Sequence, residues 1–358
     1  MEADRPHMVR ALELAERGLY TTTPNPRVGC VIVKDGIVVG EGWHERAGGP
    51  HAETIALEAA GARASGATAY VTLEPCAHHG RTPPCADALV RAGVASVVAA
   101  MADPNPLVSG KGLTRLREAG VSVRAGVMEE EARELNVGFV SRMSRGRPWV
   151  RMKIAASLDG RTALLNGRSQ WITGPEARRD GHHWRARACA ILTGIGTVRK
   201  DDPRLDVREV ATTRQPQRVV VDSRLEISPA ARIVGDGTLV VTAAINDARK
   251  DALVAHAASV VSLPGTGGGV ALGDLMRVLA TRGINELHVE AGATLNGSLL
   301  REGLVDELLV YLAPHIIGDK ACGMFDLPAL TDLAQRRAVD IREVCMIGKD
   351  LRVMARVR

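Results

Sequence analysis

Aromatic side chains are scarce in this chain: Phe, Trp and Tyr together make up 3% of its 358 residues. Binders of single-stranded nucleic acid stack bases on such rings, so a stacking platform is excluded. There is no block of consecutive Lys and Arg residues, and the net charge of +5 comes from arginines scattered among other residues. That pattern suits a small anionic metabolite better than a nucleic-acid backbone. No apolar run approaches the ~18 residues that span a bilayer, and Met1-Glu2-Ala3-Asp4-Arg5 begins no signal peptide. A cytoplasmic protein with neither membrane nor nucleic-acid partners is expected. The 6 cysteines (Cys30, Cys76, Cys85, Cys189, Cys322 and Cys345) are too sparse for a disulfide scaffold, which favours metal use over bridging.

Hydrophobic content of 46% and charged content of 24% are those of a globular protein with an ample core. The length exceeds a typical domain of roughly 100–200 residues, so two domains are expected. Apolar spacing predicts a helix over 5–20, a hairpin across Asp35-Gly36, a helix over 52–64, a strand over 69–73, a helix over 85–92, a strand over 96–100 and a further αβ unit over 111–127. The polar, basic stretch 141–148 ends in Gly-x-Pro and reads as a linker. Beyond it strands recur at 149–155, 190–193, 218–222, 238–242, 259–263, 286–290 and 307–312, with helices such as 175–186 and 270–282 between them. Weak alternation near 341–346 and 350–356 predicts an antiparallel edge pair. The fold class is therefore α/β in both halves, divided as 1–146 and 147–358.

The chemistry concentrates in His51-Ala52-Glu53, Glu74-Pro75-Cys76 and Pro84-Cys85. Catalytic zinc takes three protein ligands and leaves its fourth position to water, and an imidazole with two thiolates suits the ion. His51, Cys76 and Cys85 are the candidate ligands. Glu53 is placed to shuttle protons, because H-x-E followed by P-C-x-x-C is the signature of zinc nucleobase deaminases. Here the cysteines are 8 residues apart instead of 2, so residues 77–84 loop out between them. His78 and His79 in that loop are loop or substrate contacts. Ordinary buried cysteines and surface histidines are the plainer alternative. The order of the motifs, each beside a Gly or Pro break, argues against it.

In the second half, small motifs cluster at strand ends: Lys153 to Gly160, Ser169 to Thr173, Thr193 to Val198 with Asp201-Asp202-Pro203, and Glu290 to Asn296. Gly-rich turns after strands bring backbone N–H groups to a phosphate. Gly194-x-Gly196 lacks the third glycine of a dinucleotide fingerprint, so the turn alone leaves nucleotide binding and a plain loop both open.

The string from His51-Ala52-Glu53 through Glu74-Pro75-Cys76-Ala77-His78-His79-Gly80-Arg81-Thr82-Pro83-Pro84-Cys85, joined to Lys153-x-Ala155-x-Ser157-Leu158-Asp159-Gly160, resembles the bifunctional riboflavin-biosynthesis deaminase-reductases over essentially the whole chain. The resemblance implies a cytidine-deaminase-like three-layer α/β/α domain with one zinc ion, then a dihydrofolate-reductase-like α/β domain using NADPH. It implies deamination of a phosphoribosylamino-pyrimidine followed by reduction of the product's ribosyl group to ribityl. Asn25 in Pro24-Asn25-Pro26 matches a sugar-hydroxyl contact, Arg81 a phosphate clamp, and His44 and Asn105 further pocket positions. In the reductase half, substrate contacts fall on Ser169, Arg185, Leu205, Arg208 and Glu290. Cofactor contacts fall on Ala155, Trp171, Thr197, Asp201, Ser223 and the turn Gly292, Ala293, Thr294, Leu295, Asn296, Gly297 and Ser298. Arg185 and Arg208 are expected to hold the substrate phosphate, and Lys153 and Glu290 to manage protons while the cofactor supplies hydride. The Ser usual after the first zinc Cys is Ala77 here, which removes a hydroxyl from the pocket but no ligand. A nucleic-acid base deaminase with an accessory nucleotide-binding domain is the alternative, and a homo-oligomer is compatible with the C-terminal edge strands.

Overall fold

The computed structural model describes residues 2–77, 83–106 and 108–358. The chain divides into two compact units, Met1–Arg147 and Pro148–Arg358. In the first, α1 (Arg5–Glu16), β1 (Gly29–Lys34), β2 (Ile37–Trp43), α2 (Ala52–Ala60), β3 (Thr68–Val71), α3 (Cys85–Arg91), β4 (Ser96–Ala99), α4 (Lys111–Glu118), β5 (Ser122–Ala125), α5 (Glu129–Leu135) and α6 (Val137–Arg145) follow in order. The sheet runs β2-β1-β3-β4-β5, with β1 antiparallel to both neighbours and β3, β4 and β5 parallel. The strands bury both faces, as period-2 alternation requires. Cys30 and Ile32 of β1 pack with Ala52, Ala56 and Ala60 of α2, Leu89 of α3 and Leu116 of α4. Val31 and Val33 face the other way, toward Met8 and Leu12 of α1, Ala132 of α5 and Phe139 of α6. The result is the three-layer α/β/α arrangement expected.

The stretch read as a linker from 141 is helical as far as Arg145. Ser144 and Arg145 are exposed on α6, while Phe139 and Met143 pack into the core. Ser141 is buried and donates from Oγ to the Arg147 carbonyl at 2.8 Å, so a residue read as linker closes the helix end instead. Composition suggested a loop because an amphipathic helix end and a polar linker look alike over eight residues.

The second unit contains β6 (Trp149–Ser157), β7 (Arg161–Ala163), α7 (Pro175–Arg187), β8 (Ala190–Gly194), α8 (Ile195–Asp201), β9 (Gln217–Val221), β10 (Thr238–Thr242), α9 (Asp247–Ala255), β11 (Ser259–Ser262), α10 (Leu272–Thr281), β12 (Glu286–Val289), α11 (Ala293–Arg301), β13 (Glu307–Ala313), β14 (Cys322–Gly323), β15 (Val339–Ile347) and β16 (Asp350–Val357). Its large sheet has the order β11-β10-β9-β8-β12-β6-β13-β16-β15. Pairing is parallel from β11 to β13, and β16 and β15 add the antiparallel edge pair. Near-continuous apolar strands such as Ala190-Ile191-Leu192 are buried on both faces, as a helix-covered parallel sheet demands. Among the described residues no helix is long and apolar enough to cross a membrane.

At the amino-terminal edge of the parallel strands, Arg151 is 2% exposed. It bridges Glu286 of β12, at 3.0 Å from Nη1, and Glu307 of β13. Arg187 reaches the same Glu286 at 2.7 Å and Arg356 the same Glu307 at 3.1 Å, while Trp184 covers the Arg151 guanidinium at 4.5 Å. Register requires this arrangement, because Glu307 lies directly opposite Arg151. Removing one partner leaves buried charge uncompensated, so Arg151→Met is expected to destabilise the second unit by about 3–5 kcal/mol in urea unfolding.

Candidate active sites

In the first unit, the carboxyl end of β3 and the starts of two helices converge. His51 is the N-cap of α2, in extended conformation, and Cys85 is the first residue of α3. His51 Nδ1 lies 3.2 Å from Cys85 Sγ and 3.6 Å from Cys76 Sγ. The three ligand atoms all lie within 4.8 Å of one another. Tetrahedral zinc, with bonds of about 2.1 Å to nitrogen and 2.3 Å to sulfur, puts such atoms about 3.6 Å apart, so this donor set fits the ion. The Cys85 backbone N–H also points at Cys76 Sγ, 3.3 Å away, and supports a thiolate there. Hydrogen bonding from the Cys85 thiol, with further help from His51, holds Cys76 down to about 4, and the same contact raises Cys85. A dication among the three atoms would take the place of the proton the sulfurs share.

Glu53 lies in the first turn of α2 and is 3% exposed. Burial pushes its carboxyl up to about 7, with the Cys76 charge adding to the effect and His51 opposing it. Such a group exchanges protons near neutrality.

Glu74, the first residue of its motif, also anchors the site. Its buried carboxylate accepts backbone N–H groups from Asp103, at 3.0 Å, Gly110, at 2.9 Å, Gly112, at 2.8 Å, and Leu113, at 3.3 Å. It thereby fastens the loop after β4 and the start of α4 to the segment that carries Cys76. Gly112 is required by this contact, since a Cβ there would sit 1.8 Å from the Pro75 carbonyl oxygen. Asn105 lies half-buried in the fastened loop, and its N–H donates to Asp103 Oδ1 at 2.8 Å.

Asn25 and His44 form a pair. Pro50 O can only accept, so His44 donates from Nδ1 at 2.9 Å and its Nε2 accepts from Asn25 Nδ2 at 3.0 Å. The His44 ring meets the His51 ring edge to face at 5.5 Å. With both nitrogens engaged and the residue 3% exposed, His44 orients Asn25 from behind. Arg81, His78 and His79 lie outside the described residues.

The second unit holds a cleft of about 1280 Å³ along the carboxyl ends of its parallel strands. Open α/β sheets place ligands there. Lys153, Ala155, Ser169, Trp171, Arg185, Thr197, Asp201, Leu205, Arg208, Ser223, Glu290, Gly292, Ala293, Thr294, Leu295, Asn296 and Ser298 all line it. Gly297 does not. A Cβ at Gly297 would sit 2.0 Å from the Asp326 carbonyl oxygen, so this glycine lets α11 pack against backbone and takes no part in the cleft wall. From Ala293 onward that stretch is helical, and within it Gly297 faces the Asp326 backbone.

The two arginines expected to receive a phosphate already have partners. Arg185 pairs with Glu290 through Nε and through Nη2, the latter at 2.9 Å, and Nη1 donates to the Asp206 carbonyl at 3.2 Å. Arg208 pairs with Asp206. Although burial opposes ionisation, the Arg185 guanidinium beside Glu290 holds its carboxyl well below the usual range. Without ligand, Glu290 is thus the paired anion of Arg185. Burial lowers Lys153, with Glu290 opposing that shift and Arg185 adding to it. Trp171 stands 69% exposed at the cleft, with Arg178 stacked on its ring at 4.6 Å. The structural part of Glu74 does not show in its motif because its partners are backbone N–H groups, and Asp206 stands in no motif because its partners, Arg185 and Arg208, are set by the fold.

Comparison with known proteins covers both units. Residues 1–101 match the cytidine and deoxycytidylate deaminase zinc-binding region, and residues 148–353 match the RibD C-terminal domain. The riboflavin biosynthesis protein RibD of Escherichia coli (strain K12) is 50% identical over 97% of this chain and 98% of its own length. The structure of Acinetobacter baumannii RibD, form 1, superposes with a TM-score of 0.93 at 44% identity, covering 100% of this chain and 99% of that one. A diaminohydroxyphosphoribosylaminopyrimidine deaminase/5-amino-6-(5-phosphoribosylamino)uracil reductase from Thermotoga maritima gives 0.88 at 34% identity, with coverage of 100% and 99%. Relatives that span the whole chain, with a deaminase zinc-binding region in one half and a reductase in the other, leave the nucleic-acid alternative unfavoured: the chain belongs to the RibD family of riboflavin biosynthesis, whose members join a zinc-dependent deaminase to a reductase.

Proposed function

We propose that the first unit hydrolytically deaminates 2,5-diamino-6-(5-phosphoribosylamino)pyrimidin-4-one and that the second reduces the ribosyl group of the resulting uracil to ribityl. The observation that carries the reading is the buried Glu53 carboxyl beside the His51, Cys76 and Cys85 triangle. Zinc held by those three residues supplies Lewis acidity that makes water nucleophilic near neutral pH. Glu53 accepts a proton as water adds to the amine-bearing carbon and returns protons to the nitrogen, so ammonia leaves and the carboxylate is regenerated. Asn25, its amide orientation set by His44, offers its Oδ1 to a sugar hydroxyl. Arg81 supplies the phosphate clamp in this reading.

In the second unit, NADPH supplies hydride to C1′ of the opened sugar. Gly292 and the start of α11, with Thr197, Asp201 and Ser223, form the wall proposed for the cofactor, and the helix start favours its phosphates. The cleft exceeds the ~300–1,000 Å³ of an ordinary small-molecule site, which accords with two ligands side by side. Lys153 gives a proton to the ring oxygen as its bond to C1′ breaks, which leaves C1′ open to the hydride that a bound cofactor would supply. Glu290, fixed by Arg185, holds the compensating negative charge for the Lys153 ammonium.

Three outcomes test these roles. Cys85→Ser is expected to lose most bound zinc by elemental analysis of the purified protein. Glu53→Gln should keep its zinc and lower ammonia release by about 10²–10⁴-fold, while NADPH oxidation with supplied uracil substrate stays at the wild-type rate. Retained deamination in that variant would remove Glu53 from the mechanism. Lys153→Met should lower the rate of NADPH oxidation by a comparable factor, about 10²–10⁴, with deamination untouched.

A further inference from the structure

One polar group in the reductase cleft has no role in the chemistry above. His182 lies on α7, one turn before Arg185, and lines the cleft although the residue is only 7% exposed. Its Nδ1 accepts the backbone N–H of Arg208 at 3.3 Å. A ring nitrogen that accepts carries no proton, so the neutral imidazole keeps its proton on Nε2. Nε2 has no partner among the described residues, yet it is not one of the buried polar atoms left unsatisfied. The free N–H therefore opens on the cleft.

Its surroundings suit an anion. Burial first, then the Arg185 and Arg208 guanidinium groups, hold His182 below its ordinary range, against the pull of Glu290 and Glu209. Arg185 is already committed to Glu290 and to the Asp206 carbonyl. Arg208 is 50% exposed and pairs with a carboxylate two residues away in its own loop, an ion pair of small worth that an incoming dianion can displace. A phosphate there gains charge compensation from Arg208 but still needs directional donors for its other oxygens.

We propose that His182 binds substrate in the reductase site, donating from Nε2 to the phosphate group that Arg208 neutralises. The proposal rests on the phosphoribosyl reading of the cleft. It adds a neutral donor to a subsite otherwise built from arginine, and it explains why a buried imidazole is held in a single tautomer by the backbone of the neighbouring phosphate ligand.

The test compares NADPH oxidation with the phosphorylated uracil substrate and with its dephosphorylated riboside. His182→Ala is expected to raise KM for the phosphorylated substrate about tenfold and leave kcat within about twofold, with no change in KM for the riboside. His182→Gln, whose amide can accept from Arg208 and still donate, should restore most of the loss. Equal KM increases on both substrates, an unchanged KM, or failure of Gln to rescue would overturn the assignment. A measurement on the wild type covers the case in which the Ala variant does not fold. Ribose 5-phosphate, and not ribose, should shift the His182 Nε2 resonance in ¹⁵N-histidine-labelled protein, and an unmoved resonance counts against the proposal. If the wild type shows no preference for the phosphorylated substrate, the reading of the cleft itself fails. If that preference is lost in Arg208→Ala but not in His182→Ala, only the role of His182 falls.

Discussion

A carboxylate removed from water must be satisfied by something, and at Glu74 that something is main chain among the described residues. Four N–H groups from one loop and one helix start close on it. The proposed metal site of the first unit depends on this closure, because Cys76 stands two residues further along and has no regular structure of its own to hold it. The same closure sets the loop that carries Asn105 and draws α4 against Pro75. Side-chain geometry at the zinc ligands is thus inherited from a backbone arrangement centred on one anion.

The second unit solves a similar problem with side chains. Arg151, Glu286 and Glu307 neutralise one another at the amino-terminal edge of the sheet, and Glu290 and Arg185 do so at the carboxyl edge. The first cluster is sealed, whereas the second borders the cleft. Charge at the sealed end fixes which strands lie side by side; charge at the open end fixes which protonation states a ligand meets. Glu290 there is the buried partner of Arg185.

Much of this was legible in the sequence, for a physical reason. Zinc ligation and proton shuttling demand particular atoms at short spacing, so His51, Glu53, Cys76 and Cys85 declare themselves in two brief motifs. Alternating and continuous apolar runs likewise announce strands such as β1 and β8. Residues whose partners only the fold supplies are harder to read: the four N–H groups on Glu74 are not visible in its motif, Asp206 looks like any acid, and His182 like any helix histidine. The end of α6 looks like a linker because its apolar residues are few, and the resemblance names Gly297 with its whole turn without showing that it packs against the Asp326 carbonyl. Arg185 showed its charge in the sequence but not that Glu290, distant along the chain, already pairs with it.

Strand order in the large sheet bears on how the protein is made. β6 is the first strand of its unit to leave the ribosome, yet its two neighbours are β12 and β13, which come near the end of the chain. Both hydrogen-bonding edges of an apolar strand must therefore wait through most of the unit's synthesis, and waiting edges are where nascent chains stick to one another. The first unit, by contrast, pairs β1 with β2 and β3 early and can close its fold while the second is still being translated. Chaperone demand should accordingly fall on the reductase half.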